Sequence, residues 1–345
     1  MSSGSGPLWE QRWHPLREEW VLFTAHRGGR PWIGALVETG DEPTPDPNNA
    51  LAPEAPRVGG AENPAYAGTY CFTNDLPCFS NQAPFAASAD LLYRNRPAHG
   101  TAEIVCYHHD PSKTMADLTC PEILDVVNLW ASRSLELAAR PEVKHVLVFE
   151  NKGRITGTSN PHPHCQIYAG SMVYAIAARE DASALRFFRQ TGLELGQEVL
   201  RREAAGPRVV CQNAHFLACV PWFARYAYEL LVLPKRPTSR LGELDPDQRG
   251  ALSEILQEVC IRYDNLWKMR MPYVMAIHQA PTDEDDHSHY PFHLEFHPPL
   301  RRPDTLKYLA GSEIGGGSMT NEADPDEKAA ELRNTSTRLY RSAGE

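Results

Sequence analysis

The chain has 345 residues, of which 42% are apolar and 23% are charged, and its formal net charge is −10. These values predict a globular protein with a sizeable core and exclude a surface devoted to nucleic acid, because phosphate backbones are bound by clustered Lys and Arg. The sequence has no long apolar run, no signal-peptide pattern at its start and no C-x-x-C pair among its eight cysteines. We therefore expect a cytoplasmic protein with reduced thiols that binds neither membranes nor nucleic acid.

Strand-like and helical segments follow one another along the chain. Nine stretches have the composition or alternation of strands: 20–27, 68–75, 102–109, 145–152, 165–170, 208–221, 228–235, 273–281 and 291–299. Apolar residues recur at intervals of three and four in 121–139 and 246–267, which predicts two helices with a proline near the first turn. Two stretches rich in Pro, Gly or Asn, 38–66 and 311–325, are expected to be loops, and a third helix is expected over 326–344.

The order of these segments occurs twice. Each half contains a strand, a helix, a further strand and then a stretch in which polar residues recur at every second position. These polar residues are His162, His164 and Gln166 in the first half and His293, Glu295 and His297 in the second. We infer a duplicated α+β unit with a mostly antiparallel sheet and helices packed outside it, divided into halves 1–205 and 206–345.

The stretch SNPHPHCQIYAG has the pattern of a strand with functional polar residues on one face. Side chains two apart share one strand face, so His162, His164 and Gln166 are expected to point the same way. Pro163 can donate no ladder hydrogen bond, which favours a strand start or an edge strand. A neutral imidazole is a good nucleophile near pH 7, and Ser159 and Gln166 could donate hydrogen bonds to an oxygen that gains charge. The spacing alone also fits two surface or metal-binding histidines.

A second group of histidines lies between residues 278 and 297. His293 and Glu295 share one strand face, and imidazole and carboxylate groups at this spacing suit a metal such as zinc or iron. His287 and His289 lie in the acidic run TDEDDHSH, where solvated loop residues are the simpler interpretation.

Weaker signals lie at other predicted strand ends. Arg27 and Arg30 flank two glycines, and two guanidiniums on such a turn could clamp a diphosphate. Four polar residues follow predicted strands, a common place for ligand contacts: Asn74, Asp75, Asn151 and Lys152. Each signal is slight by itself.

Six motifs occur in one order along the chain: HRGGRPW, GTYCFTND, FENKG, SNPHPHCQIYA, RYDNL and HPPLRR. Their combination resembles the galactose-1-phosphate uridylyltransferase family of the histidine-triad superfamily, and SNPHPHCQ is its signature. The resemblance extends from about residue 8 to about residue 340. It implies an enzyme of galactose metabolism, a UDP-glucose–hexose-1-phosphate uridylyltransferase.

The resemblance implies a double displacement through a covalent intermediate. His164, the second histidine of the motif, would attack the α-phosphorus of UDP-glucose and release glucose-1-phosphate. Galactose-1-phosphate would then take the uridylyl group from His164 and leave as UDP-galactose. Gln166 and Ser159 would hold phosphate oxygens, and His162 would orient its neighbour.

The resemblance also implies substrate contacts and a partner. It assigns contacts with the phosphates, the uridine and the sugar phosphate to Arg27, Arg30, Asn74, Asp75, Asn151 and Gly153. In the family the site is completed across a dimer by a segment that matches LKYLAGSEI, which puts Lys307 and Glu313 at the hexose phosphate. We therefore expect a homodimer with shared active sites that binds UDP-glucose and a hexose-1-phosphate.

The chain departs from the family at one of two metal sites. Asn49, Ala52 and Pro111 stand where many members have zinc ligands, and only His162 remains, so no zinc is expected there. The family ligands of the second site are matched by Glu180, His278 and His293, with Glu295 where some members have a third histidine. These four residues predict one structural metal ion, iron or zinc.

Two alternatives stay open. Ser312 replaces an aromatic phosphate-contacting residue of some members, which allows a related nucleotidyltransferase or phosphorylase acting on another sugar phosphate or nucleotide in a specialised pathway. A non-catalytic nucleotide-sugar-binding protein is the other alternative, although the intact His164 and Gln166 argue against it. A plain nucleotide hydrolase is disfavoured, because the Gln166 amide cannot shuttle a proton as a third histidine can.

Overall fold

An antiparallel sheet of nine strands forms the centre of the protein, seen here in a computed structural model that describes residues 8–27, 48–82 and 85–342. The strands of the described residues are β1 Trp9–His14, β2 Glu19–Thr24, β3 Tyr70–Thr73, β4 Gly100–Cys106, β5 His145–Lys152, β6 His164–Gly170, β7 Val209–Gln212, β8 Phe216–Cys219, β9 Leu230–Pro234, β10 Tyr273–His278, β11 His293–His297, β12 Leu300–Arg302, β13 Thr305–Leu306 and β14 Thr320–Asn321. The helices are α1 Cys120–Ala138, α2 Ala175–Thr191, α3 Leu195–Ala204, α4 Pro246–Trp267, α5 Ser312–Gly316 and α6 Pro325–Arg333.

The central sheet is built from two similar units. Its order is β3-β4-β6-β5-β10-β11-β9-β8-β7, and every neighbouring pair is antiparallel. The unit β3-β4-α1-β5-β6 therefore has a counterpart in β8-β9-α4-β10-β11, and the two meet where β5 pairs with β10. Beside this sheet, β1, β2 and β14 form a small sheet, and β12 pairs with β13. The predicted α+β fold with a mostly antiparallel sheet is confirmed.

The two long helices cover one face of the central sheet. Both begin at the predicted prolines, after capping boxes at Thr119 and Asp245 that satisfy free backbone N–H groups. Inward-facing strand residues such as Cys165 and Ile167 join α1 and α4 in the main apolar core. Trp130 of α1 donates its indole N–H to Cys165 Sγ at 3.0 Å, which fixes this face of β6 toward the helix. The alternate residues His164 and Gln166 consequently point to the opposite face.

Helices α2 and α3 cover this opposite face, but only in the second unit. Leu217 of β8 and Leu231 of β9 pack there with Leu16, Ala184 and other residues of a second apolar cluster. The sequence did not predict α2, because its buried residues are small or polar, Ala177, Glu180, Ser183 and Ala184, rather than large and apolar. The first unit has no such cover from α2 and α3, and its half-buried residues face the pocket described below.

Other expectations need correction. Pro163 directly precedes the first residue of β6, which confirms the strand-start alternative, whereas the edge-strand alternative is wrong because β6 lies between β4 and β5. The single strand expected over 208–221 is two strands, because Asn213 Oδ1 accepts the backbone N–H groups of a tight turn. The loop expected over 311–325 contains α5 and β14, and the terminal helix ends at Arg333. Among the described residues, no helix combines the length and the apolarity needed to cross a lipid bilayer.

Candidate active site

A pocket opens on the face of β5 and β6 that lies opposite α1 and α4. Its lining residues come from these two strands and from the loop between them: Phe149, Asn151, Gly157, Thr158, Ser159, His164, Cys165 and Gln166. Phe149 and Gln166 are paired across the two strands, so their side chains stand side by side on one face. Four residues predicted from the sequence, Asn151, Ser159, His164 and Gln166, are thus brought together.

His164 is half-buried and has a defined tautomer. Its Nδ1 lies 2.7 Å from the backbone oxygen of His162. A carbonyl oxygen only accepts, so Nδ1 carries the hydrogen and Nε2 keeps its lone pair. Burial lowers the pKa of His164, and the hydrogen bond to His162 opposes this shift. The ring is therefore neutral near pH 7, with one nitrogen available for attack on an electrophile.

His162 does not share the strand face of His164. It precedes β6, is buried, and accepts a hydrogen bond at Nδ1 from Asn49 Nδ2 at 3.0 Å. Its Nε2 donates to the backbone oxygen of His108 at 2.8 Å and lies 3.0 Å from the Tyr66 hydroxyl. Burial lowers the pKa of His162 to about 4. The prediction that His162 and His164 point the same way is wrong, because His162 precedes β6 and its ring is held by Asn49, in the loop before β3, and by the backbone oxygen of His108, after β4.

The second polar group, Glu180, His278, His293 and Glu295, forms one buried cluster that could hold a metal ion. One ligand atom of each residue lies within 4.8 Å of the others. We call it the glutamate–histidine cluster. Three of its buried atoms, Glu180 Oε1, His293 Nε2 and Glu295 Oε1, have no hydrogen-bond partner among the described residues. His293 Nε2 lies 3.5 Å from Glu295 Oε1 and 3.9 Å from Glu180 Oε1. Buried ligand atoms that face one another without hydrogen-bond partners fit a metal site.

The remaining carboxylate oxygens of the glutamate–histidine cluster are held by outer partners. Tyr290 donates its hydroxyl to Glu180 Oε2 at 2.7 Å. Glu295 Oε2 accepts from Arg17 and lies 3.3 Å from Arg225 Nη2. Burial raises the pKa of Glu295, but the two guanidiniums and His278 outweigh it and hold that pKa well below its ordinary value. Such partners orient ligand groups in metal sites, and no pattern in the sequence indicated them.

The other predicted contact residues that the structure describes lie outside this pocket lining. Arg27 ends a short 3-10 turn, where its Nε is 3.9 Å from Glu322 Oε1. Arg30 lies outside the described residues. Gly153 has φ 91°, a conformation that favours glycine, and starts the turn that leads into the pocket loop.

Two further pairs have local partners. Asn74 and Asp75 follow β3, and Asp75 Oδ2 lies 3.7 Å from Arg57 Nε. Lys307 Nζ donates to Glu313 Oε1 at 3.1 Å. Thr158 also lines the pocket, although the sequence analysis did not single it out. Its position directly before Ser159, where the motif begins, could have indicated it.

The chain is similar to known proteins over most of its length. Residues 8–173 match "Galactose-1-phosphate uridyl transferase, N-terminal domain", and residues 180–343 match the corresponding "C-terminal domain". The galactose-1-phosphate uridylyltransferase of Haemophilus influenzae is 36% identical over 336 residues, covering 96% of this chain and 95% of that protein. That of Rattus norvegicus is 37% identical, covering 93% and 86%. A solved structure described as "Structure of uridylyltransferase" has 27% identity and a TM-score of 0.77, covering 94% and 97%. The chain belongs to the galactose-1-phosphate uridylyltransferase family.

Proposed function

We propose that the protein transfers a uridylyl group from UDP-glucose to galactose-1-phosphate, the activity for which its relatives are named. The observation that carries the proposal is the state of His164. Its Nδ1 hydrogen is held by the His162 carbonyl, so Nε2 carries the lone pair, and the side chain lines the pocket beside Gln166. A neutral imidazole held by its other nitrogen is prepared for nucleophilic attack.

In the first step, His164 Nε2 bonds to the α-phosphorus of UDP-glucose, and the bond from that phosphorus to the bridging oxygen breaks. Glucose-1-phosphate leaves with the electron pair. The uridylyl-imidazole carries positive charge. The His162 carbonyl oxygen stabilises this charge by accepting the hydrogen bond from Nδ1–H. In the second step, a phosphate oxygen of galactose-1-phosphate attacks the same phosphorus, and Nε2 leaves with its lone pair restored.

Polar residues around His164 would stabilise the charge on the transferring phosphate. Gln166 is beside the nucleophile on β6, and Ser159 is an exposed residue at the pocket edge. Each can donate a hydrogen bond to a nonbridging oxygen whose charge grows in the transition state. Asn151 lines the same pocket and, with Gly153, would contact the sugar phosphate. Support for these roles comes from the pocket and from the family motifs.

The remaining contacts are proposed from the family motifs. Arg27 and Arg30 would bind the leaving or incoming phosphate, and Asn74 and Asp75 the uridine. Lys307 and Glu313 would reach the hexose phosphate of the partner subunit in a homodimer. Their separation from the pocket lining of the same chain is consistent with that arrangement. We also propose the division into halves at 205, which falls between the end of α3 and the start of β7.

We propose iron or zinc at the glutamate–histidine cluster, bound by Glu180, His278, His293 and Glu295. The ion would stabilise the packing of α2 on β10 and β11 and would take no part in the transfer. We propose no zinc at His162, because both of its ring nitrogens already have hydrogen-bond partners in Asn49 and His108.

The experiment is the intact mass of the purified protein after incubation with UDP-glucose alone. We expect a shift of one uridylyl group that disappears when galactose-1-phosphate is added. The variant His164→Gly should show no shift, and His215→Gly, a histidine in the β7–β8 turn, should behave as the wild type. A shift that persists with galactose-1-phosphate would keep the nucleophile but indicate another acceptor. No shift with any nucleotide sugar would contradict the covalent mechanism.

A further inference from the structure

His287 and His289 are buried, although the sequence favoured solvated loop histidines. Their side chains are 6% and 7% exposed. Both lie in the connection between β10 and β11, which folds back onto α2. Asp181, the residue of α2 next to Glu180, faces them, and Asp283 lies at the other side of His287. We call these four residues the aspartate–histidine cluster.

Two imidazole nitrogens face one carboxylate oxygen in this cluster. His287 Nδ1 lies 2.7 Å from Asp181 Oδ1, and His289 Nε2 lies 3.0 Å from the same atom. The ligand atoms of these three residues all lie within 4.8 Å of one another. His289 Nε2 is buried and makes no hydrogen bond among the described residues, despite its short distance to Asp181. Its orientation therefore suits a third atom placed between the two groups better than a direct hydrogen bond.

Asp283 fixes the tautomer of His287. His287 Nε2 lies 2.6 Å from Asp283 Oδ1, and a carboxylate only accepts, so Nε2 carries a hydrogen. In the neutral ring the lone pair of Nδ1 then points at the Asp181 carboxylate. Two lone pairs at 2.7 Å repel unless a proton or a metal ion binds both atoms. A carboxylate that holds the far nitrogen of a histidine is the usual outer partner of a metal-bound imidazole.

A proton could serve as the cation for one histidine, but the second histidine favours a metal. A proton bridges two atoms, whereas a metal ion of the zinc class takes two imidazoles and a carboxylate and leaves a fourth position for water. Two neutral imidazoles, two carboxylates and one divalent cation also give a cluster without net charge.

We propose that Asp181, His287 and His289 form a second metal site, separate from the glutamate–histidine cluster, which binds a divalent cation of the zinc class with Asp283 as the outer partner of His287. The ion would tie the β10–β11 connection to α2. Because Asp181 and Asp283 are 18% and 27% exposed, the ion can exchange with solvent.

The test is zinc binding to the whole metal-stripped protein, measured as zinc per chain by elemental analysis after competition with a chromophoric chelator. We expect His289→Gln and Asp181→Asn each to bind one zinc per chain fewer than the wild type. The matched control Glu284→Gln, an exposed carboxylate of the same loop, should bind as much as the wild type. The variant His293→Gln removes a ligand of the other cluster and should keep the site proposed here. Far-ultraviolet circular dichroism checks that each variant is folded.

Equal zinc binding by the wild type, His289→Gln and Asp181→Asn would overturn the proposal and leave His287 as an imidazolium between two aspartates. Crystals of the wild type soaked in zinc provide a second measurement that does not depend on the folding of any variant. An anomalous peak between Asp181, His287 and His289 is expected at the zinc edge. Its absence from crystals that show zinc elsewhere would also overturn the proposal.

Discussion

Gln166 and Glu295 lie in one row of paired residues across the sheet but in different environments. Gln166 pairs with Phe149, Phe149 with Ala276, and Ala276 with Glu295. Gln166, Phe149 and Ala276 are half-buried, whereas Glu295 is completely buried. The change occurs where α2 and α3 begin to cover this face, packing on Leu217 and Leu231.

The packing of α2 and α3 on the second unit determines which polar residues of each half are accessible to a bound molecule. A histidine that lines a pocket is accessible to a bound molecule, and His164 lies in such a place next to Gln166. The same strand position in the second unit holds His293, which is 0% exposed and can meet only its neighbours. Buried carboxylates need cations, which Arg17, Arg225 and a metal ion can supply. One duplicated scaffold thus carries the proposed reaction site in its first unit and a buried polar cluster in its second unit.

The largest effect is expected from a matched pair of glycine substitutions at the two strand starts. His164→Gly should reduce uridylyl transfer by at least about 10⁴-fold, because it removes the nucleophile, and should change stability little. His293→Gly should lower the free energy of unfolding by about 3–5 kcal/mol, because it opens a cavity in a buried polar cluster. Urea unfolding and a coupled transfer assay measure the two effects. The comparison fails if His293→Gly abolishes transfer in protein that is still folded.

The next largest effect is expected at Glu295, which pairs with two buried arginines. Glu295→Ala leaves Arg17 and Arg225 without this acceptor, and the free energy of unfolding should fall by about 3–5 kcal/mol. The control Glu327→Ala removes an exposed carboxylate of α6 and should stay within about 0.5 kcal/mol of the wild type. Equal unfolding midpoints in urea for the two variants would show that the glutamate–histidine cluster does not stabilise the second unit.

A smaller effect is expected at Asn49, which connects the loop before β3 to the nucleophile motif. Asn49→Ala leaves buried His162 Nδ1 without its donor, so the free energy of unfolding should fall by about 2 kcal/mol. If His162 positions His164 through its carbonyl, kcat should fall as well while the KM for UDP-glucose stays the same. The control Asn128→Ala, on the exposed side of α1, should change neither quantity. A loss of stability with unchanged kcat would limit Asn49 to a structural role.

The smallest effect is a pH dependence of stability from His162. Its pKa is about 4 in the folded protein and 6.5 as the ordinary value, so the unfolded chain takes up the proton first as pH falls. Stability is therefore lost with falling pH, by about 1.5 kcal/mol between pH 6.5 and pH 5. Urea unfolding at several pH values measures this dependence. Between pH 6.5 and pH 5, the free energy of unfolding of His162→Gln should fall less than that of the wild type. Parallel curves for the two proteins would contradict the burial argument.

Segments with strong local patterns were predicted correctly, and those shaped by distant contacts were not. The bounds of α4 follow from the proline at its start and from apolar periodicity. Helix α2 lacks that periodicity, because its buried face carries Glu180 and small residues. His162 was assigned to the strand from spacing alone, but Asn49, 113 residues away, holds its ring elsewhere.

The sequence by itself determined the antiparallel α+β scaffold, its duplication and the motif that contains His164, because strand alternation, helix periodicity and short motifs are local properties. Only the tertiary structure decided which polar residues meet. Glu180 and His278 are 98 positions apart and become neighbours when α2 packs on β10, and His287 and His289 become buried when their loop folds onto the same helix. Burial and unpaired atoms depend on such long-range packing, and they distinguish the pocket beside His164 from the two buried clusters that are built of the same residue types.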